Sequence, residues 1–102
     1  MNVLIVGNRP LTRSIIQISK DKMIIAADGG ADKLLEYEIL PDKVIGDFDS
    51  ISDKAATKLE DWLILNKDIQ KTDLEKAVDY AIERGAKKIQ KFGILSPTYK
   101  DE

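Results

Sequence analysis

The run "VLIVG", Val3–Gly7, decides the fold. It is continuously apolar, rich in β-branched residues and closed by a glycine. A strand with one wet face would alternate polar and apolar residues. One that does not alternate is covered on both faces, which is the condition of a strand in a parallel sheet. The stretches "MIIAADGG" (23–30), "KVIGDFDS" (43–50), "WLILNKD" (62–68) and "KKIQKFGI" (87–94) repeat the idea with decreasing clarity. Helical spacing lies between them. Leu11, Ile15 and Ile18 follow Asn8 and Pro10, and the proline suits a first helical turn. Ala31, Leu34 and Leu35 form a second stripe, and Ala56, Leu59 and Leu63 a third. The clearest helix is predicted over Thr72–Arg84, with Leu74, Ala77, Val78, Ala81 and Ile82 on one face. Thr72 and Glu75 form a capping box at its start, and Gly85 is a natural residue to end it. Alternation of strand and helix throughout predicts an α/β three-layer domain. Its sheet is Rossmann-like, mostly parallel and of about five strands, with helices on both faces.

Composition removes several kinds of chemistry. The chain has 102 residues, 43% hydrophobic and 33% charged, as an ordinary globular domain has. A net charge of −2 gives no electrostatic case for nucleic acid or an anionic membrane. There is no cysteine and no histidine, which excludes disulfides, thiolate or imidazole metal sites and a Ser-His-Asp triad. The absence of cysteine fits a cytoplasmic location. The opening "MNVLIVGNRP" has a short apolar run and no basic region, so it does not read as a signal peptide. Catalysis here must rest on carboxylates, Lys, Arg, hydroxyls, backbone amides or a metal.

Open α/β sheets bind ligands at the carboxyl ends of their strands. Those ends carry Gly7-Asn8-Arg9, Asp28-Gly29-Gly30, Gly46-Asp47-Phe48-Asp49-Ser50, Asn66-Lys67-Asp68 leading to Thr72-Asp73, and Gly93. Asp28, Asp47, Asp49 and Asp73 would thus share one edge of the sheet. Two unit charges about 5 Å apart at an effective dielectric near 20 repel by roughly 3 kcal/mol. A hard cation relieves that, and oxygen-only ligands suit Mg²⁺ or Ca²⁺, with Mg²⁺ usually shared with substrate phosphates. Arg9, Lys71 and helix N-terminal amides are candidate phosphate contacts. Each piece also has a plain reading. Asp28-Gly29-Gly30 is a turn, Asp73 a first-turn acid facing the helix dipole, Asp68 a loop residue and Arg9 a solvated charge. Ser50 or Ser52 can cap the next helix and Asp49 can form an Asx-turn, which leaves Asp47 unexplained. Phe48 is expected to turn inward while the aspartates turn out. Neither a Walker A motif nor Gly-x-Gly-x-x-Gly is present.

Taken together, "AADGGAD" (26–32), "LPDKVIGDFDS" (40–50) and "QKTDLEKAVDYAIERGA" (70–86) resemble the catalytic domain of thiamin pyrophosphokinases in order and spacing. The resemblance covers roughly residues 1–93. It implies transfer of a pyrophosphoryl group from ATP to the hydroxyethyl oxygen of thiamin, giving AMP and thiamin diphosphate. It implies Asp47, Asp49 and Asp73 as catalytic, Mg²⁺-binding residues, with Asp28 helping to arrange metal, nucleotide or hydroxyl. Gly29, Gly30 and Gly46 would line the nucleotide site, and Lys71 and Thr72 would contact phosphates. Residues 1–95 are expected to form this domain and 96–102 a short polar tail. The family's second domain, a β-sandwich that helps form the thiamin site across a dimer, is expected to be absent. A homodimer is what family habit implies.

Two further departures stand out. Asp68-Ile69-Gln70 replaces the family's usual Asp-Gln-Asp before Lys-Thr-Asp. "GILSPTYKDE" (93–102) stands where a Gly-Gly-Arg-x-Asp-His stretch is usual. The chain alone is therefore expected to bind Mg·ATP weakly and to turn thiamin over poorly or not at all. Two alternatives remain: a pyrophosphokinase for another hydroxymethyl substrate such as a pterin, and a non-catalytic binding or assembly domain that keeps the fold.

Overall fold

The computed structural model describes residues 1–94. The expected polar tail 96–102, and most of the stretch 93–102, lie outside the described residues. Five strands form one sheet: β1 (Asn2–Val6), β2 (Met23–Ala27), β3 (Lys43–Gly46), β4 (Leu63–Leu65) and β5 (Lys88–Phe92). All pair in parallel, in the order β4-β3-β2-β1-β5. The helices are α1 (Ser14–Ile18), α2 (Gly30–Glu36), α3 (Asp53–Lys58) and α4 (Asp73–Glu83).

The three-layer expectation holds, with an uneven division of helices. The first three crossovers step outward from β1 towards β4, and right-handed connections put their helices on one face. The last crossover returns past β1 to β5, which puts α4 on the other face. Leu4 and Val6, Ile24 and Ala26, and Val44 therefore meet Ile15 of α1, Ala31 and Leu34 of α2, and Leu59. The alternate residues Val3 and Ile5, Ile25 and Ala27, and Ile45 meet Ala77 and Ala81 of α4. The central strands are buried beyond their first residues, whereas β4 and β5 are edges and only half-covered. That is why their sequence pattern is weaker. Among the described residues no helix is long and apolar enough to cross a membrane.

Three local expectations need correction. Pro10 does not open a helix, and α1 starts only at Ser14. Beyond β1 the chain bends at Asn8 and Arg9 across the end of β5, with Gly7 N–H donating to Phe92 O at 2.9 Å and Arg9 N–H to Gly93 O at 2.7 Å. Leu63 is not on α3; a 3-10 turn at Glu60–Trp62 ends that segment and Leu63 opens β4, so Ala55 is the helix residue that is buried. Ile82 is 59% exposed. The covered face of α4 is centred further round, where Lys76 is buried beside Ala77 and Ala81. The predicted ends of α4 hold. The Thr72/Glu75 capping box is present. Ala86 N–H donates to Ala81 O and Gly85 N–H to Ile82 O, both at 3.0 Å, which closes a Schellman motif at Gly85.

Candidate metal and nucleotide site

The crossover direction reverses between β1 and β5, and a cleft opens there at the carboxyl ends of the strands, as open α/β sheets provide. Its volume is about 300 Å³, and Asn8, Arg9, Asp28, Ser50, Thr72 and Asp73 are among its lining residues. Beside it, one oxygen each from Asp28, Asp47, Asp49 and Asp73 lie within 4.8 Å of one another. Three segments far apart in sequence thus place four carboxylates at one point.

Each arrives by a local device. Asp28 follows β2 with φ 46°, in the left-handed region, and its N–H is held by Ile45 O at 2.9 Å. It is 2% exposed. Oδ1 accepts a hydrogen bond from Ser50 N–H at 3.2 Å, while the buried Oδ2 has no partner. Gly46 ends β3 at φ 153°. A Cβ there would stand 3.1 Å from Asp73 Oδ1 and 3.2 Å from Asp28 Cβ, so glycine lets the two carboxylates close over the strand end. Phe48 holds φ 65° and packs inward against the core, as expected, which turns the aspartates on either side of it outward. Asp47 has a turn role after all: its Oδ1 accepts Asp49 N–H at 3.2 Å. Ser52, rather than Ser50, caps α3 by accepting Ala55 N–H at 3.1 Å. Asp73 is the first residue of α4, where the helix dipole favours a negative charge.

The electrostatics follow from this crowding. Burial, then the adjoining Asp49 carboxylate and the charge of Asp73, push Asp28 up to about 7. Asp47 is exposed, and the Asp49 N–H holds its carboxyl below the usual carboxylate range.

The remaining expected residues divide. Arg9 and Thr72 line the cleft. The Thr72 hydroxyl is already accepting Glu75 N–H at 3.1 Å and keeps its own proton to donate. Gly29 lies against the Asn8 side chain. Gly30 is buried behind the site; a Cβ there would come within 2.1 Å of Val6 O, so its absence lets α2 sit down on β1. Lys71 is not brought to the cleft. Its ammonium pairs with the Asp79 carboxylate, a hydrogen bond that raises the lysine pKa. Sequence reasoning missed Lys76. It is 4% exposed, donating to Asn66 O at 2.6 Å and to Asp73 Oδ1 at 3.4 Å. A lysine in the apolar run of a helix was the available signal.

Known proteins share this fold. Residues 16–97 match the family model described as "Thiamin pyrophosphokinase, catalytic domain". The thiamine pyrophosphokinase of Bacillus subtilis is 35% identical over 74 residues, which are 69% of this chain and 35% of that protein. The crystal structure of thiamine pyrophosphokinase from Bacillus subtilis superposes with a TM-score of 0.79 at 29% identity, over 95% of this chain and 49% of the other. Thiamin pyrophosphokinase from Candida albicans gives 0.70 at 31% identity, over 82% of this chain and 34% of the other. The match therefore spans half or less of each of these relatives.

Proposed function

The chain belongs to the thiamin pyrophosphokinase catalytic-domain family, and on that premise we propose that it supplies the nucleotide-binding half of a pyrophosphoryl transfer from ATP to the hydroxyethyl oxygen of thiamin. The convergence of four carboxylates within 4.8 Å beside an open cleft carries this reading. The donor set fits a hard divalent cation. It is all oxygen, and the Asp28 Oδ2 atom is buried without a partner. Asp47, Asp49 and Asp73 would hold Mg²⁺, with Asp28 behind them. When bound, the ion supplies neutralisation of the polyphosphate charge.

The chain's own residues do the rest. Arg9, on the rim of the cleft, offers its guanidinium to a phosphate. The first turn of α4 borders the same cleft and adds the partial positive charge of its free amides. In the transfer, the hydroxyl oxygen bonds to the β-phosphorus, the bond from that phosphorus to the α-phosphate oxygen breaks, and AMP leaves. A carboxylate oxygen of the cluster takes the hydroxyl proton late. Positioning and charge neutralisation dominate such a step, so the lack of histidine is no obstacle. A cytoplasmic location belongs to the same reading, supported by the cysteine-free sequence.

AMP release measured with Mg·ATP and a panel of thiamin, a hydroxymethylpterin and buffer alone tests it. Slow release stimulated by thiamin is expected. Stimulation by the pterin instead would reassign the acceptor. One observation favours a second reading, a binding or assembly domain: Ile69, in the altered Asp68-Ile69-Gln70 segment, is 97% exposed, and Leu65 before it is also exposed. Absence of release with either acceptor, with metal still bound, would support that reading.

A further inference from the structure

Lys76 is a buried ammonium that the reaction scheme above does not use. Burying an ammonium costs several kcal/mol, and an apolar side chain of similar volume at such a place is often as stable or more so. Stability alone therefore does not account for it, and its contacts suggest what does. Nζ donates to the Asn66 carbonyl at 2.6 Å and to Asp73 Oδ1 at 3.4 Å. Asn66 is also held through its own N–H, which donates to Gly46 O at 2.8 Å. Gly46 is the residue from which the Asp47-Phe48-Asp49 loop departs. A chain of contacts thus runs from Asp73 on α4, through Lys76 and the last turn of chain beyond β4, to the end of β3. It joins the two halves of the carboxylate cluster.

We propose that Lys76 is a positioning residue that ties the Asp73 carboxylate to the Asn66–Gly46 strand ends, so that the four carboxylates converge on one cation. The inference rests on the metal-site reading above. It makes a directional claim that a plain charge effect would reverse. Removing a positive charge beside an anionic site strengthens cation binding if the lysine acts only through its field. Removing a group that aims a ligand weakens it, typically about 10–100-fold for such outer partners.

Two readouts on the whole chain decide between these. Mn²⁺ alone, followed by the electron paramagnetic resonance of the free ion, reports the site. Hydrogen exchange of the Asn66 amide, measured without metal, reports the tie. Lys76→Met is expected to weaken Mn²⁺ binding about tenfold or more and to speed Asn66 exchange, with the Ile25 and Ala81 amides at parent rates. Lys76→Arg is expected to recover part of both. Unchanged Asn66 exchange with equal or tighter Mn²⁺ binding in Lys76→Met overturns the proposal and leaves the metal site standing. A parent chain that binds no Mn²⁺ at millimolar concentration overturns the metal reading instead. The exchange arm then decides the tie alone: faster Asn66 exchange supports it and an unchanged rate overturns it. Should Lys76→Met not fold, Lys76→Gln, a shorter donor without charge, is read by the same two measurements in the same directions.

Discussion

At the scale of single residues, the site is a conflict held in place by its surroundings. Asp28 is the sharpest case, because burial and two neighbouring carboxylates raise it from 3.8 to about 7. The folded state then binds a proton that the unfolded state releases at lower pH, so stability present near pH 4 is lost as pH rises through about 7. In chelator, the melting temperature is expected to fall between pH 5 and pH 8, and Asp28→Asn to flatten that slope. Added Mg²⁺ should restore stability at pH 8, by binding only the folded state. A melting series in which the parent is most stable at pH 8 without metal would contradict this. Gly46 gives a second residue-level outcome. A methyl group there meets Asp73 Oδ1 at 3.1 Å in a backbone conformation that L side chains rarely adopt. Gly46→Ala should cost about 1–3 kcal/mol in urea unfolding and weaken Mn²⁺ binding together with it.

At the scale of elements, α4 carries both fold and site. It covers one face of the sheet with Ala77 and Ala81, and its first residue is Asp73 of the carboxylate cluster. Its start is set by the Thr72/Glu75 capping box, with Thr72 N–H donating to Glu75 Oε1 at 2.8 Å. Thr72→Ala should destabilise the domain by about 0.5–2 kcal/mol, and urea unfolding measures it. Because the cap also seats Asp73, Mn²⁺ affinity is expected to fall by more than stability alone explains; affinity that stays at the parent value would uncouple cap from site. The helix was legible from spacing and caps, since both are local. The direction of its buried face was not. Ile82 belongs to the apolar stripe by period, yet it is exposed, whereas Lys76 lies inward against Asn66. The late start of α1 was hidden for a related reason: the path of Gly7–Arg9 depends on hydrogen bonds to Phe92 and Gly93 at the end of β5, more than 80 residues away in sequence.

At the scale of the whole molecule, strand order makes the site. The order β4-β3-β2-β1-β5 opens the cleft between β1 and β5 and sets the carboxylates that follow β2 and β3 and that open α4 beside it. An amide NMR titration of the chain with Mg·ATP tests that placement. Gly29 and Gly46 should shift saturably and only with Mg²⁺, whereas Gly85, which precedes β5 at the opposite edge of the sheet, should not move. Movement of Gly85 to the same extent, or of no glycine at millimolar ligand, would place the nucleotide elsewhere or remove it.

The sequence by itself determined the alternation of elements, the burial of the central strands, the ends of α4 and the gathering of Asp28, Asp47, Asp49 and Asp73 at strand ends. These follow from local chemistry: side-chain periodicity, capping residues and the glycines at the ends of four of the five strands. The tertiary structure alone decided which strands are neighbours, how the helices divide between the faces, and which charged groups meet. Lys71 was expected at the phosphates and is instead paired with Asp79, while Lys76, unremarked in the sequence, sits buried against Asp73. A lysine's long side chain reaches several alternative partners from one backbone position. Which one it finds is settled by packing and solvent exclusion, and neither is written in the spacing of residues along the chain.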